Sequence, residues 1–341
     1  KRKMKVTYLI GAGASRNALP IVTELPERIL AILEKIKDTD GKILDIAFTD
    51  NERLPLTKKA ALNHLIADLK WLAEKARNHA SIDTFAKKLF LKSSFQELKK
   101  LKVVLSIYFI LEQASSRYDK RYDSFFASIL DKDIVDFPSN IRIISWNYDY
   151  QFEQAFSEYT DSTEIIDNQR KLNVVSKFTY KQLKTDRFAI FKINGTTNFL
   201  DPNWKNEHEY CKHFENSITQ QLLESVLENY TSLLHTDLKL YCSLSFAWED
   251  PVDGFGNIVE HTIKETNDTE ILIVIGYSFP FFNRGIDREI INSMKKLQKV
   301  YFQAPDANNI RERFLSIRNN IRDEYLITRF DIDQFLLPAE L

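Results

Sequence analysis

The stretch Lys5-Val6-Thr7-Tyr8-Leu9-Ile10-Gly11-Ala12-Gly13-Ala14-Ser15 decides the fold. Residues 5–10 form a short apolar run with the composition of a buried strand, and the run stops at two glycines separated by one alanine. Glycines let a backbone come close to a pyrophosphate. A helix opening just past such a turn offers unpaired N–H groups and partial positive charge to the same ligand. The pattern therefore predicts the first strand, turn and helix of a dinucleotide-binding unit, although a tight turn without a ligand has the same local sequence. The fingerprint is incomplete: Arg16 stands where a third glycine is usual, and no acidic residue follows a second strand about twenty positions on. An ordinary dehydrogenase is disfavoured.

Working outward, Leu25, Ile29, Leu30, Leu33 and Ile36 recur at helical spacing. Residues 41–138 then change character. They hold one glycine, Gly41, and several helical patterns, among them Leu62, Leu65, Leu69 and Leu72, and a run from Phe95 through Val103, Ile107 and Leu111. Strand candidates return at 141–146, 188–193, 271–275 and 300–302, mostly separated by helical patterns, which predicts a parallel sheet. The expected fold is α/β: a Rossmann-type parallel sheet made by residues 1–40 and 139–341, with an all-helical module, 41–138, inserted.

Five strand ends carry small or hydrogen-bonding residues: Gly11 to Ser15, Asn147-Tyr148-Asp149, Asn194-Gly195-Thr196-Thr197, Gly276-Tyr277-Ser278 and Gln303-Ala304-Pro305-Asp306. In an open parallel sheet these ends share the edge where ligands bind. Only eight of 341 residues are glycine, about a third of the usual share of about 7%. Four of the eight (Gly11, Gly13, Gly195, Gly276) fall on this edge. Asn147 and Asp149 precede an amphipathic helix marked by Phe152 and Phe156, and both are favoured capping residues. With one of them capping, the other faces the crevice, where an amide or a carboxylate holds ribose hydroxyls. Glu153, a turn further on, reads as surface or structural.

Composition bounds the rest. A net charge of −1 gives no global pull on nucleic acid or an anionic membrane, and the longest uncharged apolar stretch, 271–282, is too short to span a bilayer. Two cysteines, Cys211 and Cys242, build no disulfide framework, and the absence of a secretory pattern before the first strand points to a reducing cytoplasm. His208, Cys211 and His213 match no zinc spacing, so no metal is expected. Residues 250–257 lack the bidentate glutamate of a calcium loop and read as a loop over the site. Trp71 and Trp248 lack a basic, aromatic-interleaved groove and read as packing residues. Ser15 lacks the GxSxG context of a hydrolase nucleophile.

With these residues in place, the chain resembles the sirtuin-like family, in particular its bacterial NAD-hydrolysing branch of anti-phage defence. The matching pieces, in family order, are LIGAGAS (9–15) with Pro20 following, SIDTF (81–85), SWNYD (145–149), KINGT (192–196), LSFAWE (244–249) and IGYSFP (275–280). The resemblance implies a Rossmann-type sheet with a helical insertion and an NAD+ glycohydrolase that releases nicotinamide and ADP-ribose, as an effector of abortive infection. It implies that Gly11, Ala12, Gly13 and Ser15 contact the phosphates, that Asn147 and Asp149 sit by the nicotinamide ribose, and that Gly276 and Ser278 lie near the adenosine half. Gly195 is counted with this NAD-binding backbone. Catalysis falls to Asn147, Asp149 and Asn194. It further implies a homo-oligomer, or a complex with a second defence protein that controls activity. Two cysteines cannot build the four-cysteine zinc module of deacetylating sirtuins.

One departure stands out. The family carries a histidine where this chain has Asn194. An imidazole takes a proton near neutral pH, and an amide only hydrogen-bonds. The alternative expectation is therefore a catalytically weak nucleotide-binding subunit that senses a signal or anchors a partner. The apolar residues Val103, Val104, Ile107, Phe109, Ile110 and Leu111 suit either a partner surface or the core of the helical module.

Overall fold

The apolar run before Gly11 forms strand β1 (Val6–Ile10), buried at all five positions. A strand buried on both faces belongs in the middle of a parallel sheet, and β1 lies there. It pairs in parallel with β2 (Ile141–Ser145) on one side and β7 (Ile271–Ile275) on the other. Among the described residues the sheet has seven strands in the order β3-β4-β2-β1-β7-β8-β9, all pairs parallel, with β3 at Val174–Val175, β4 at Ala189–Lys192, β8 at Lys299–Gln303 and β9 at Leu326–Arg329. The four long strand candidates read from the sequence are β2, β4, β7 and β8; the edge strands β3 and β9 are additions. The structure is a computed structural model and describes residues 3–48, 54–131, 136–179, 184–200, 213–237, 241–249 and 257–341.

Register puts the strand ends on one line. Ile10 lies opposite Ser145 and Ile275, Ser145 opposite Lys192, and Ile275 opposite Gln303. The chain lays β2, β3 and β4 on one side of β1, with β4 placed between β2 and the edge strand β3, and then β7, β8 and β9 in turn on the other. The order reverses between β1 and β7, and such a switch point opens a crevice beyond the carboxyl ends.

Helices cover both faces. One face packs against α5 (Lys120–Ile129) and α6 (Gln151–Thr160), with Phe125, Phe126, Phe152 and Phe156 in a shared core, and the short α7 (Ile165–Lys171) lies against α6. The other packs against α9 (Ile258–Thr266), α10 (Arg284–Ser293) and α11 (Ala307–Leu315). A separate core is built by α1 (Leu25–Asp40), α2 (Lys58–Asn78), α3 (Ile82–Leu91), α4 (Phe95–Ala114) and α8 (Gln220–His235). Side-chain caps start several of these helices: Thr57 accepts from the Ala60 N–H, Ser81 from Thr84 and Thr219 from Leu222. Pro26 opens α1, where its missing N–H costs nothing. Leu62, Leu65, Leu69 and Leu72 are fully buried, each contributing on the order of 1.5–3 kcal/mol.

Helix α4 is apolar almost all round, the signature of a central helix. Every residue from Val103 to Ala114 is buried. The run that suited either a partner surface or a core is thus the core of the helical layer. An antiparallel ribbon, β5 (Gly195–Leu200) with β6 (Tyr241–Leu244), packs against α4 and joins that layer to the sheet edge. Among the described residues no helix is long and apolar enough to cross a membrane.

Candidate functional site

The turn after β1 is tighter than expected. In place of a long helix starting at the glycines there is a single 3-10 turn, Ala12–Ser15, and α1 begins only at Leu25. The Gly13 N–H donates to the Gly276 carbonyl at 3.0 Å, and the Gly11 N–H to that of Ile275. The two glycine segments therefore cross each other. A Cβ on Gly276, whose φ is +60°, would lie 2.3 Å from the Ala14 nitrogen, and one on Gly11 2.6 Å from the Tyr277 Cα. Backbone-to-backbone contact is what demands glycine here, ahead of any ligand.

That crossing places the hydroxyl of Ser15 against the loop after β2. Ser15 Oγ donates to Asp149 Oδ2 at 2.8 Å and accepts from Asn147 Nδ2 at 3.2 Å. Its remaining neighbour, the Tyr122 hydroxyl at 2.8 Å, must donate to it, because a hydroxyl carries one proton and two acceptor sites. Asp149 Oδ1 accepts the Gln151 N–H at the start of α6, so Asp149 is the capping partner of the pair. Asn147 spans back to the Gly11 carbonyl at 3.1 Å, and no donor among the described residues reaches its Oδ1.

Asn194 closes the third side. Its Nδ2 donates to the Trp146 carbonyl and its Oδ1 accepts from the Ala247 N–H, both at 3.1 Å. Each end of the amide ties down a neighbouring loop. Gly195 is held elsewhere. Its φ is +70° and a Cβ would stand 2.0 Å from the Ser243 carbonyl, so it serves the β5–β6 pairing and does not line the cavity.

Below the site Lys192 and Glu153 form an ion pair at 3.3 Å with neither side chain exposed. Glu153 is thus structural, not surface. Lys192 Nζ also donates to the Asp149 carbonyl, tying the ion pair to the loop after β2. Burial pushes the Glu153 carboxyl up, and Lys192 opposes that. From α5, Arg121 donates to the Gly13 and Ala14 carbonyls and pairs with Asp119. Burial raises the Asp119 carboxyl, but Arg121 more than offsets it and the group ends below the ordinary value.

The crevice over these groups is a cavity of about 880 Å³, lined by Gly11, Ala12, Ser15, Asn147, Asp149 and Asn194, together with Gly276, Ser278 and the segment Ser81 to Thr84 at the start of α3. A side cavity of about 350 Å³ runs past Gly13, Gly276 and Ser278 toward Gln303 and Asp306 at the end of β8. Small-molecule sites span about 300–1,000 Å³, so the pair has room for a dinucleotide laid across the switch point. The wall includes Trp146 and Tyr277, stacked with ring planes 4° apart and centroids 5.6 Å apart.

Two carboxyls in and behind this wall escaped the sequence reading. Asp83, in the SIDTF segment, lines the cavity, and burial raises it to about 6. Asp287, from α10, holds both carboxyl oxygens within hydrogen-bond distance of the Tyr277 hydroxyl, at 2.9 and 3.0 Å, and burial pushes it up to about 8. In the sequence Asp83 stands out only as part of the SIDTF match, with no role attached to it. His208, Cys211 and residues 250–256 lie outside the described residues; Asn257 caps α9. His213 instead bridges to Glu164 and sets its ring 3.3 Å from the Thr163 hydroxyl.

Against models of known protein families the chain finds no match, and no curated protein matches it.

Proposed function

We propose that the protein is an NAD+ glycohydrolase whose site is the cavity beyond β1, β2 and β4. The observation that carries this reading is the convergence of Ser15, Asn147, Asp149 and Asn194 from three loops onto one cavity of dinucleotide size at the switch point. Phosphates suit the turn after β1, and the adenosine half suits the side cavity toward Asp306.

Nicotinamide leaves as a neutral ring, so the enzyme's task is to orient the ribose and to favour an oxocarbenium-like transition state. Asn147 Oδ1, which no described donor reaches, accepts a ribose hydroxyl. Asp149, held by Ser15 and the α6 N-terminus, places negative charge near the developing cation. Asn194 keeps the Trp146 and Ala247 loops in register and lends an amide to the ribose side. By the family resemblance the activity belongs to abortive infection, where depletion of NAD+ halts a phage-infected cell, under control of self-association or a second defence protein.

A nucleotide-binding subunit without turnover is the second reading, favoured by the amide at 194 and by the lack of any histidine lining the cavity among the described residues. Nicotinamide release from NAD+ by the purified chain separates the two. Release supports the hydrolase, and NAD+ binding without release supports the subunit.

A further inference from the structure

We infer that Asp83 is the proton acceptor of this cavity, taking the proton of the water that attacks C1′ of the nicotinamide ribose. The inference rests on the NAD+ cleavage proposed above and adds a residue that no strand-end loop supplies.

Elimination over the cavity lining leads to it. Asn147 and Asn194 are amides and take no proton. Asp149 already accepts the Ser15 hydroxyl on one oxygen and the Gln151 N–H on the other. Ser15 donates its only proton to Asp149 and accepts from two neighbours. Asp83 differs from all of these. Its Oδ1 is closed off from solvent and has no hydrogen-bond partner among the described residues. No cation pairs with it there either. The α3 cap formed by Ser81, whose Oγ accepts the Thr84 N–H at 3.0 Å, fixes the first turn that presents Asp83 to the cavity.

The neighbouring groups leave the role to Asp83. Tyr148, from the loop after β2, and Tyr277, from the loop after β7, both feel its charge, and burial holds both phenols far above neutrality. Tyr148 also feels Asp149 and Tyr108, and Tyr277 also feels Asp287. Arg313, also on the lining, donates to the Ser278 carbonyl. Burial raises the Asp83 carboxyl to about 6, and a base works best with its pKa near the operating pH.

The step balances. A water O–H bond breaks as its oxygen bonds to C1′, and the C1′–N1 electron pair leaves on nicotinamide, which becomes neutral. The proton passes to the Asp83 carboxylate and then to solvent, giving ADP-ribose, nicotinamide and H⁺.

The test measures NAD+ binding by calorimetry and nicotinamide release from pH 5 to 9, for the wild-type chain and Asp83→Asn. The expected result is unchanged NAD+ affinity in the variant with release slowed about 10²–10⁴-fold, the usual worth of a general base. The wild-type rate should rise with pH through an acid limb near 6. A variant that binds and releases at the wild-type rate overturns the role of Asp83 while leaving NAD+ cleavage standing. Wild-type chain that binds NAD+ without turnover also overturns it. Failure of the wild-type chain to bind NAD+ overturns the parent reading and this one with it. Should Asp83→Asn not fold, the wild-type profile decides alone: a rate flat from pH 5 to 7 overturns the inference.

Discussion

The hydroxyl of Ser15 donates to Asp149 Oδ2 across 2.8 Å, joining the turn after β1 to the loop after β2 at a point closed to solvent. The Ser15 hydroxyl is the shared oxygen of that join. Asn147 and Tyr122 both donate into the same oxygen, so one small side chain aligns an amide, a carboxylate and a phenol.

Removing it should therefore cost stability as well as activity. Ser15→Ala leaves the Asn147, Asp149 and Tyr122 groups each one partner short, and an orphaned buried polar group costs about 1–3 kcal/mol. The expected outcome in thermal unfolding is a melting temperature lower by several degrees, together with slower nicotinamide release. An unchanged melting temperature would contradict the placement of Ser15 as the hub.

The glycines offer an internal control. Gly276 has φ +60° and no room for a Cβ, whereas Gly285, exposed on α10, meets nothing within 4 Å. Gly276→Ala should destabilise by at least about 2 kcal/mol, from backbone strain and from pushing the two loops apart. Gly285→Ala should be neutral or stabilising by up to about 1 kcal/mol, as expected for alanine in a helix. Denaturant melts of the two variants check this, and equal effects would contradict the loop crossing.

Those glycines also show how far the chain could be read in advance. Strands β1, β2, β4, β7 and β8 were legible because a doubly buried parallel strand is a bare apolar run, and the loops behind them were legible because Gly, Asn and Asp punctuate such runs. The reason for the glycines was not. Read locally, Gly11 and Gly13 answer to a bound phosphate, and the fold adds a demand of its own, the crossing with Gly276 far away along the chain. Strands β5 and β6 stayed hidden because Gly195-Thr196-Thr197-Asn198 is polar yet buried, which only the α4 surface and a shifted register make possible. Asp287 and Arg121 come from helices, not from the strand-end loops that the sequence marks, and each lies on its helix's apolar face, Asp287 with Ile290 and Ile291 and Arg121 with Phe125. Helical spacing alone reads such a face as core and does not tell which strand end it packs near.

Asp287 carries a pH signature. Its carboxyl sits at about 8 in the fold against an ordinary 3.8, so between those values the folded chain holds a proton that the unfolded chain has released. Stability then falls as pH rises through that window and levels off above it. Asp287→Asn keeps an acceptor for the Tyr277 hydroxyl and removes the titration. Unfolding at pH 5 and at pH 8 should show the wild-type chain losing on the order of a few kcal/mol more than the variant, at about 1.4 kcal/mol for each pH unit crossed inside the window. Parallel losses would contradict a neutral Asp287. Asp83 and Glu153, both raised by burial, act in the same direction in either protein and cancel in the comparison.

The central claim is that the cavity around Asn147 cleaves NAD+. The direct measurement is nicotinamide and ADP-ribose appearing from NAD+ with purified wild-type chain and with Asn147→Ala, resolved by chromatography. Equimolar products are predicted from the wild-type chain, with a loss of at least about 100-fold in the variant, the scale on which a single preorganised polar contact to the transition state acts. Undiminished release by Asn147→Ala would place the chemistry elsewhere and contradict the claim.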